Sequence, residues 1–180
     1  MSLNLDGANG GSWVLSSAGL GVGSTTSQIS TANVVNYVTD GVYNTQKAAV
    51  ASVALTVPPQ TRVDYTTGNL INVYALPALV PAGNKLNIAV WLDAGGNIWA
   101  TPGPLTPISA LGQPAAIGAN PGPQAGNSVV LIGVVSIQNL TYTTNGGFRP
   151  GTDALNATVL TGTNGSVTFV NTFDQNAKSF

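Results

Sequence analysis

Lys85-Leu86-Asn87-Ile88-Ala89-Val90-Trp91-Leu92 runs into Asp93-Ala94-Gly95-Gly96-Asn97, and Ile98-Trp99-Ala100-Thr101 follows. In an extended chain successive side chains point to opposite faces. Leu86, Ile88, Val90 and Leu92 therefore share one face, and Asn87, Ala89 and Trp91 share the other. Two glycines between Asp and Asn supply the backbone freedom and local hydrogen bonding of a chain reversal. The stretch predicts an antiparallel hairpin, with Trp91 and Trp99 facing each other across it.

The same punctuation recurs on both sides. Asn33 to Thr39 ends at Asp40-Gly41, a type I′ turn pair flanked by Tyr37, Val38, Val42 and Tyr43. Alanine favours helix over Thr45 to Ala54, but the segment runs into alternating Leu55-Thr56-Val57, so a strand is expected across the join. Leu70 to Leu76 alternates, with Ile71, Val73 and Ala75 opposed to Asn72 and Tyr74. Residues 102–127 carry six prolines, which cannot donate to a ladder, so a long ordered loop or extended edge is expected there. Ser128 to Gln138 reads as a long, largely buried strand, Asn145-Gly146 and Asn164-Gly165 as turns, and Ser166 to Phe173 as a last strand. Amphipathic helical periodicity is missing throughout. The expected fold is all-β, an antiparallel sandwich or barrel of jelly-roll type. Residues 1–32, rich in Gly and Ser, are expected as an extended N-terminal arm, and residues 33–180 as a single β domain. Trp13, Val14 and Leu15 form the arm's apolar patch and are read as an anchoring contact.

The chain has 180 residues, with five Lys or Arg and six Asp or Glu. Charged residues are 6% of the chain, against roughly 25% in an ordinary soluble domain. All the acids are aspartate, and there is no histidine or cysteine. This removes imidazole bases, Ser-His-Asp triads and His-ligated metals. It also removes thiol nucleophiles, disulfides and thiolate metal sites. A net charge of −1 with so few cations does not fit an electrostatic nucleic-acid binder. The longest apolar stretch, Val129 to Val135, is far short of the roughly 20 residues of a membrane helix, so no membrane partner is expected. Residues 2–12 lack the basic start and apolar run of a signal peptide.

The remaining motifs point to structure rather than chemistry. Gly19-Leu20-Gly21-Val22-Gly23 lacks the spacing of a phosphate-binding loop. The aspartates stand singly, and Asp6, Asp40 and Asp93 sit beside glycines or Ala-Gly-Gly, where Asp holds turns. Asp93 to Asn97 lacks the alternating acids of a calcium loop. Asn139, Asn156 and Asn164 each begin an N-glycosylation pattern, as chance allows in a chain this rich in Asn and Thr. Trp91 and Trp99, joined by Tyr74, fit either cross-strand packing or a sugar platform, and packing is the stronger reading. No catalytic, cofactor-binding or metal residue is expected. Trp13, Val14, Leu15, Trp91 and Trp99 are the candidate interface residues.

One ordered series of segments extends beyond single motifs. It comprises Asn36-Tyr37-Val38-Thr39-Asp40-Gly41-Val42-Tyr43, Gln46-Lys47-Ala48-Ala49, and an apolar run ending in Val57-Pro58-Pro59. It continues with Ala89 to Ile98, a proline-rich loop and Val130 to Val135, and ends with Gly147-Phe148-Arg149-Pro150-Gly151-Thr152-Asp153-Ala154-Leu155 and Val167 to Asn171. Over about residues 33–173 this series resembles a family of tailed-bacteriophage virion proteins, described as structural, head-decoration (cement) or head-fibre proteins. The resemblance implies a non-enzymatic, β-rich shell component without catalytic residues. The expected partners are the major capsid protein or other virion proteins and further copies of the chain, a trimer being the first expectation. The expected location is the outer capsid surface of a virion assembled in the host bacterial cytoplasm. A fibre, tail or neck module binding a host-surface glycan is the alternative.

Overall fold

The structure is a computed structural model that describes residues 12–39, 42–109, 116–118, 128–156 and 159–172. Its strands are β1 (Trp13–Val14), β2 (Leu20–Val22), β3 (Ile29–Thr31), β4 (Val35–Thr39), β5 (Val42–Lys47), β6 (Val50–Val53) and β7 (Thr61–Val63). They continue with β8 (Leu70–Asn72), β9 (Asn84–Asp93), β10 (Ile98–Pro102), β11 (Thr106–Pro107), β12 (Val129–Asn139) and β13 (Gly165–Asn171). All strand pairings are antiparallel. The fold is an all-β antiparallel sandwich.

The main sheet has the order β10-β9-β12-β13, with β11 added to the free part of β9. Two three-stranded sheets, β1-β4-β5 and β2-β3-β6, and the β7-β8 hairpin complete the described strands. Leu86, Ile88, Val90 and Leu92 of β9 are fully buried on one face, as the alternation of that strand requires. They meet Leu20, Ile29, Val35 and Tyr37 of the smaller sheets in one hydrophobic core. From Ile88 onward the other face of β9 is buried too, and Ala89, Trp91 and Val129 form a second cluster there.

Strand β12 carries a bulge within its apolar run. Leu131 stands opposite Trp91 and Gly133 opposite Val90, so Ile132 is an extra residue on β12. The insertion changes the phase of the strand. Val130 and Ile132 face the core before it, and Val135 and Ile137 after it. Gly133 fits this place because a Cβ there would meet the Val170 carbonyl and the Leu20 side chain.

From Ser12 onward the Gly/Ser-rich segment lies on this body. Trp13 pairs with Val38, β2 with β3, and β3 with β6. Ala18, Leu20 and Ile29 belong to the main core. Residues 1–11 of the expected arm, the Asp40-Gly41 turn, most of the 102–127 loop, Ala157, Thr158 and Phe173 lie outside the described residues.

Two expected strands end early. Leu55-Thr56-Val57 is not a strand: Thr56 N–H donates to the Ala54 carbonyl, and Pro58-Pro59 follows at once. The strand expected over Leu70 to Leu76 stops at Asn72, whose side chain and carbonyl accept the N–H groups of Tyr74 and Ala75 and turn the chain. Thr61–Val63, unassigned in the sequence, is the partner of that shortened strand.

Candidate functional site

The three described aspartates that carry hydrogen bonds each hold a turn. At the β9–β10 reversal the Asp93 carboxylate accepts the backbone N–H of Asn97 at 2.8 Å, its side-chain amide at 2.9 Å and Trp99 Nε1–H at 2.9 Å. The Asp93 carbonyl accepts the buried Tyr37 hydroxyl at 3.0 Å. Burial alone raises the pKa of Asp93, but the hydrogen bonds from Asn97 and Trp99 outweigh it and hold the carboxyl below its ordinary value. Burial, and then the charge of Asp93, push the Tyr37 hydroxyl up.

Asp153 closes the Gly147–Leu155 motif. It takes Arg149 Nη2 at 2.7 Å and Nε at 3.0 Å on one oxygen, and the Arg149 backbone N–H at 2.8 Å on the other. Beside it Phe148 fills the core, bridged to Val80, and Leu155 is anchored by its N–H to the Thr26 carbonyl. The segment thus packs one loop onto the sandwich. Asp64 accepts the Thr66 N–H and the Thr67 hydroxyl, and these bonds lower its pKa. Among the described residues there is no cluster of three or more groups able to hold a metal ion.

Trp91 and Trp99 are direct cross-strand partners, as expected. Trp91 is only 7% exposed, and its Nε1–H donates to Thr101 Oγ1 at 2.7 Å. Trp99 is half-buried on the same cluster and lines a cleft of about 290 Å3 with Lys47, Val50, Val53 and Thr56. Tyr74 lines a different cleft, between Gln60 and Val73 on the β7–β8 hairpin. The three aromatics therefore do not make one platform.

The N-terminal candidates come close to this region. Val14 packs against the main core, and Trp13 and Val14 border a cleft of about 230 Å3 with Val130, Leu131 and Thr172. Leu131 also packs on the Trp91 cluster, so it links the two groups of candidates. Leu15 is 41% exposed. Asn139, read as a glycosylation pattern, is fully buried, and its amide donates to the Val80 and Tyr142 carbonyls.

The most exposed large apolar side chains lie elsewhere. Tyr65 is 99% and Leu70 70% exposed, with Val63 and Val73 beside them on the β7–β8 hairpin. Sequence reasoning missed this hairpin, although Asp64 and Gly68 are turn residues spaced to close it. The chain matches no known protein-family model, no curated protein and no solved structure. Among the described residues no helix is long and apolar enough to cross a membrane.

Proposed function

We propose that the protein is a non-enzymatic structural component of a bacteriophage virion, a capsid decoration or cement protein that bridges neighbouring shell subunits. The observation that carries this reading is a division of labour among side chains. The described carboxylates Asp64, Asp93 and Asp153 hold turns, while large apolar groups such as Tyr65 and Leu70 stand in solvent. Exposed apolar side chains grouped on one element mark interaction surfaces. A chain with 6% charged residues has little self-repulsion to keep copies apart. The resemblance of the order of segments to that of phage virion proteins points the same way.

The mechanism is mass action. A protein that binds only the assembled shell stabilises that state by an amount that grows with the logarithm of its free concentration relative to its dissociation constant. Trp13, Leu15 and Trp99, half-buried or exposed on the free chain, are contact candidates, and Trp91 packs beside Trp99 across the hairpin. Electron microscopy of purified particles, with a copy count, tests the proposal. Many copies spread over the shell are expected. Absence of the chain from particles overturns it, and a few copies at the neck or tail replace decoration with the fibre reading.

A further inference from the structure

The β7–β8 hairpin has one open edge. Asp64 N–H donates to the Asn69 carbonyl, and Val73 N–H to the Gln60 carbonyl. Antiparallel pairing alternates the direction of backbone groups along a strand. Residues 60, 62 and 64 therefore face β8, and the backbone groups of Thr61 and Val63 face outward. The outer edge of β8 is partly closed by its own chain, because the Asn72 carbonyl accepts Ala75 N–H. On β7 no such bond is made among the described residues. An isolated two-stranded hairpin is only marginally stable in water, and every side chain of β7 is exposed.

We propose that the edge of β7, continued through Asp64, pairs with the same segment of a second copy of this chain, antiparallel about a two-fold axis at Val63, joining two hairpins into a four-stranded sheet. Charge selects the second copy and sets the register. With Val63 opposite the partner's Val63, Arg62 stands opposite the partner's Asp64, and the reverse holds by symmetry. Shifting the axis to Arg62 instead sets Arg62 against the partner's Arg62, and like charges directly opposite destabilise a sheet. The one ion pair among the described residues is Arg149–Asp153, so Arg62 has no carboxylate partner among the described residues. Thr61, Val63 and Leu70 share one face, since Val63 and Leu70 are register partners. Pairing makes their apolar groups continuous across the axis. A self-complementary patch of this kind is what a two-fold contact requires.

The test uses the full chain in solution, free of particles, so its outcome is independent of where the protein sits on a virion. The chain has no cysteine. In the proposed register the Val63 Cα atoms lie about 5.5 Å apart, inside the range a disulfide spans. Val63→Cys is expected to oxidise to a covalent dimer about tenfold faster than Arg62→Cys, which faces the partner's Asp64. Arg62→Asp is expected to weaken self-association about tenfold in sedimentation equilibrium, because two attractive pairs become repulsive. Val63→Pro removes only an outward N–H and is expected to abolish pairing while the circular dichroism spectrum stays unchanged. The proposal is overturned if the chain stays monomeric at high concentration. It is equally overturned if Arg62→Cys cross-links as fast as Val63→Cys, or if Arg62→Asp and Val63→Pro both associate like the parent.

Discussion

Strand β9 and the β7–β8 hairpin both present apolar side chains on a face of an extended chain, yet they lie at opposite extremes of burial. Leu86, Ile88, Val90 and Leu92 of β9 are completely buried, whereas Leu70 of β8 is 70% exposed and Tyr65 at the hairpin tip 99%. Alternation fixes which side chains share a face. It does not say what covers that face. In β9 both neighbours are strands of the same sheet and a second layer packs on top. In the hairpin each strand has one neighbour, and Val63 and Leu70 stay exposed. The same kind of sequence therefore stabilises the fold in one place and leaves apolar surface for association in the other.

The largest effect is expected from removing buried volume beside the main sheet. Phe148→Ala is expected to cost about 3–5 kcal/mol, because it deletes a fully buried ring and leaves a cavity. Urea unfolding should show a lower midpoint with an unchanged slope. A loss below about 1 kcal/mol would mean that this loop does not share the core.

An intermediate effect is expected at the turn that begins the return strand. Asp93→Asn removes the charge that holds Asn97 and Trp99, at a cost of about 2 kcal/mol. The pH dependence follows from the lowered pKa of Asp93. Its contribution is present above the unfolded carboxylate value of about 3.9 and is lost as pH falls through the lower folded value. Thermal unfolding of the parent should therefore weaken more between neutral and acid pH than that of Asp93→Asn. Equal acid sensitivity would remove Asp93 from the stability balance.

The smallest effect is expected on the hairpin. Tyr65→Ser and Leu70→Ser, measured dilute enough to keep the chain monomeric, should each shift stability by less than about 0.5 kcal/mol. A large loss would show that the hairpin packs on the body after all.

The extent to which the sequence could be read follows from the range of the forces involved. The β9–β10 hairpin, the Asn145 and Asn164 turns and the all-β class depend on alternation and turn chemistry, which act over a few residues. Asn145 does take the left-handed conformation, at φ 54°, that Asn-Gly allows. The cross-strand pairing of Trp91 and Trp99 was legible for the same reason. The Gly/Ser-rich segment was harder, since its composition describes a flexible chain and says nothing of a neighbour. Its strands form because β4 and β6 offer edges and because the core takes Ala18, Leu20 and Ile29.

Local chemistry, written in the order of residues, set the strand class of this chain, most of its turns and the scarcity of charge. Packing set the rest. The Ile132 bulge, which redirects β12 onto the core, exists because β9 and β13 hold the two sides of that strand. The burial of Trp91, the half-burial of Trp99 and the separation of Tyr74 from both are likewise outcomes of distant segments meeting. Side-chain direction along a strand is a property of neighbouring residues, but cover is a property of whatever the rest of the chain places above them.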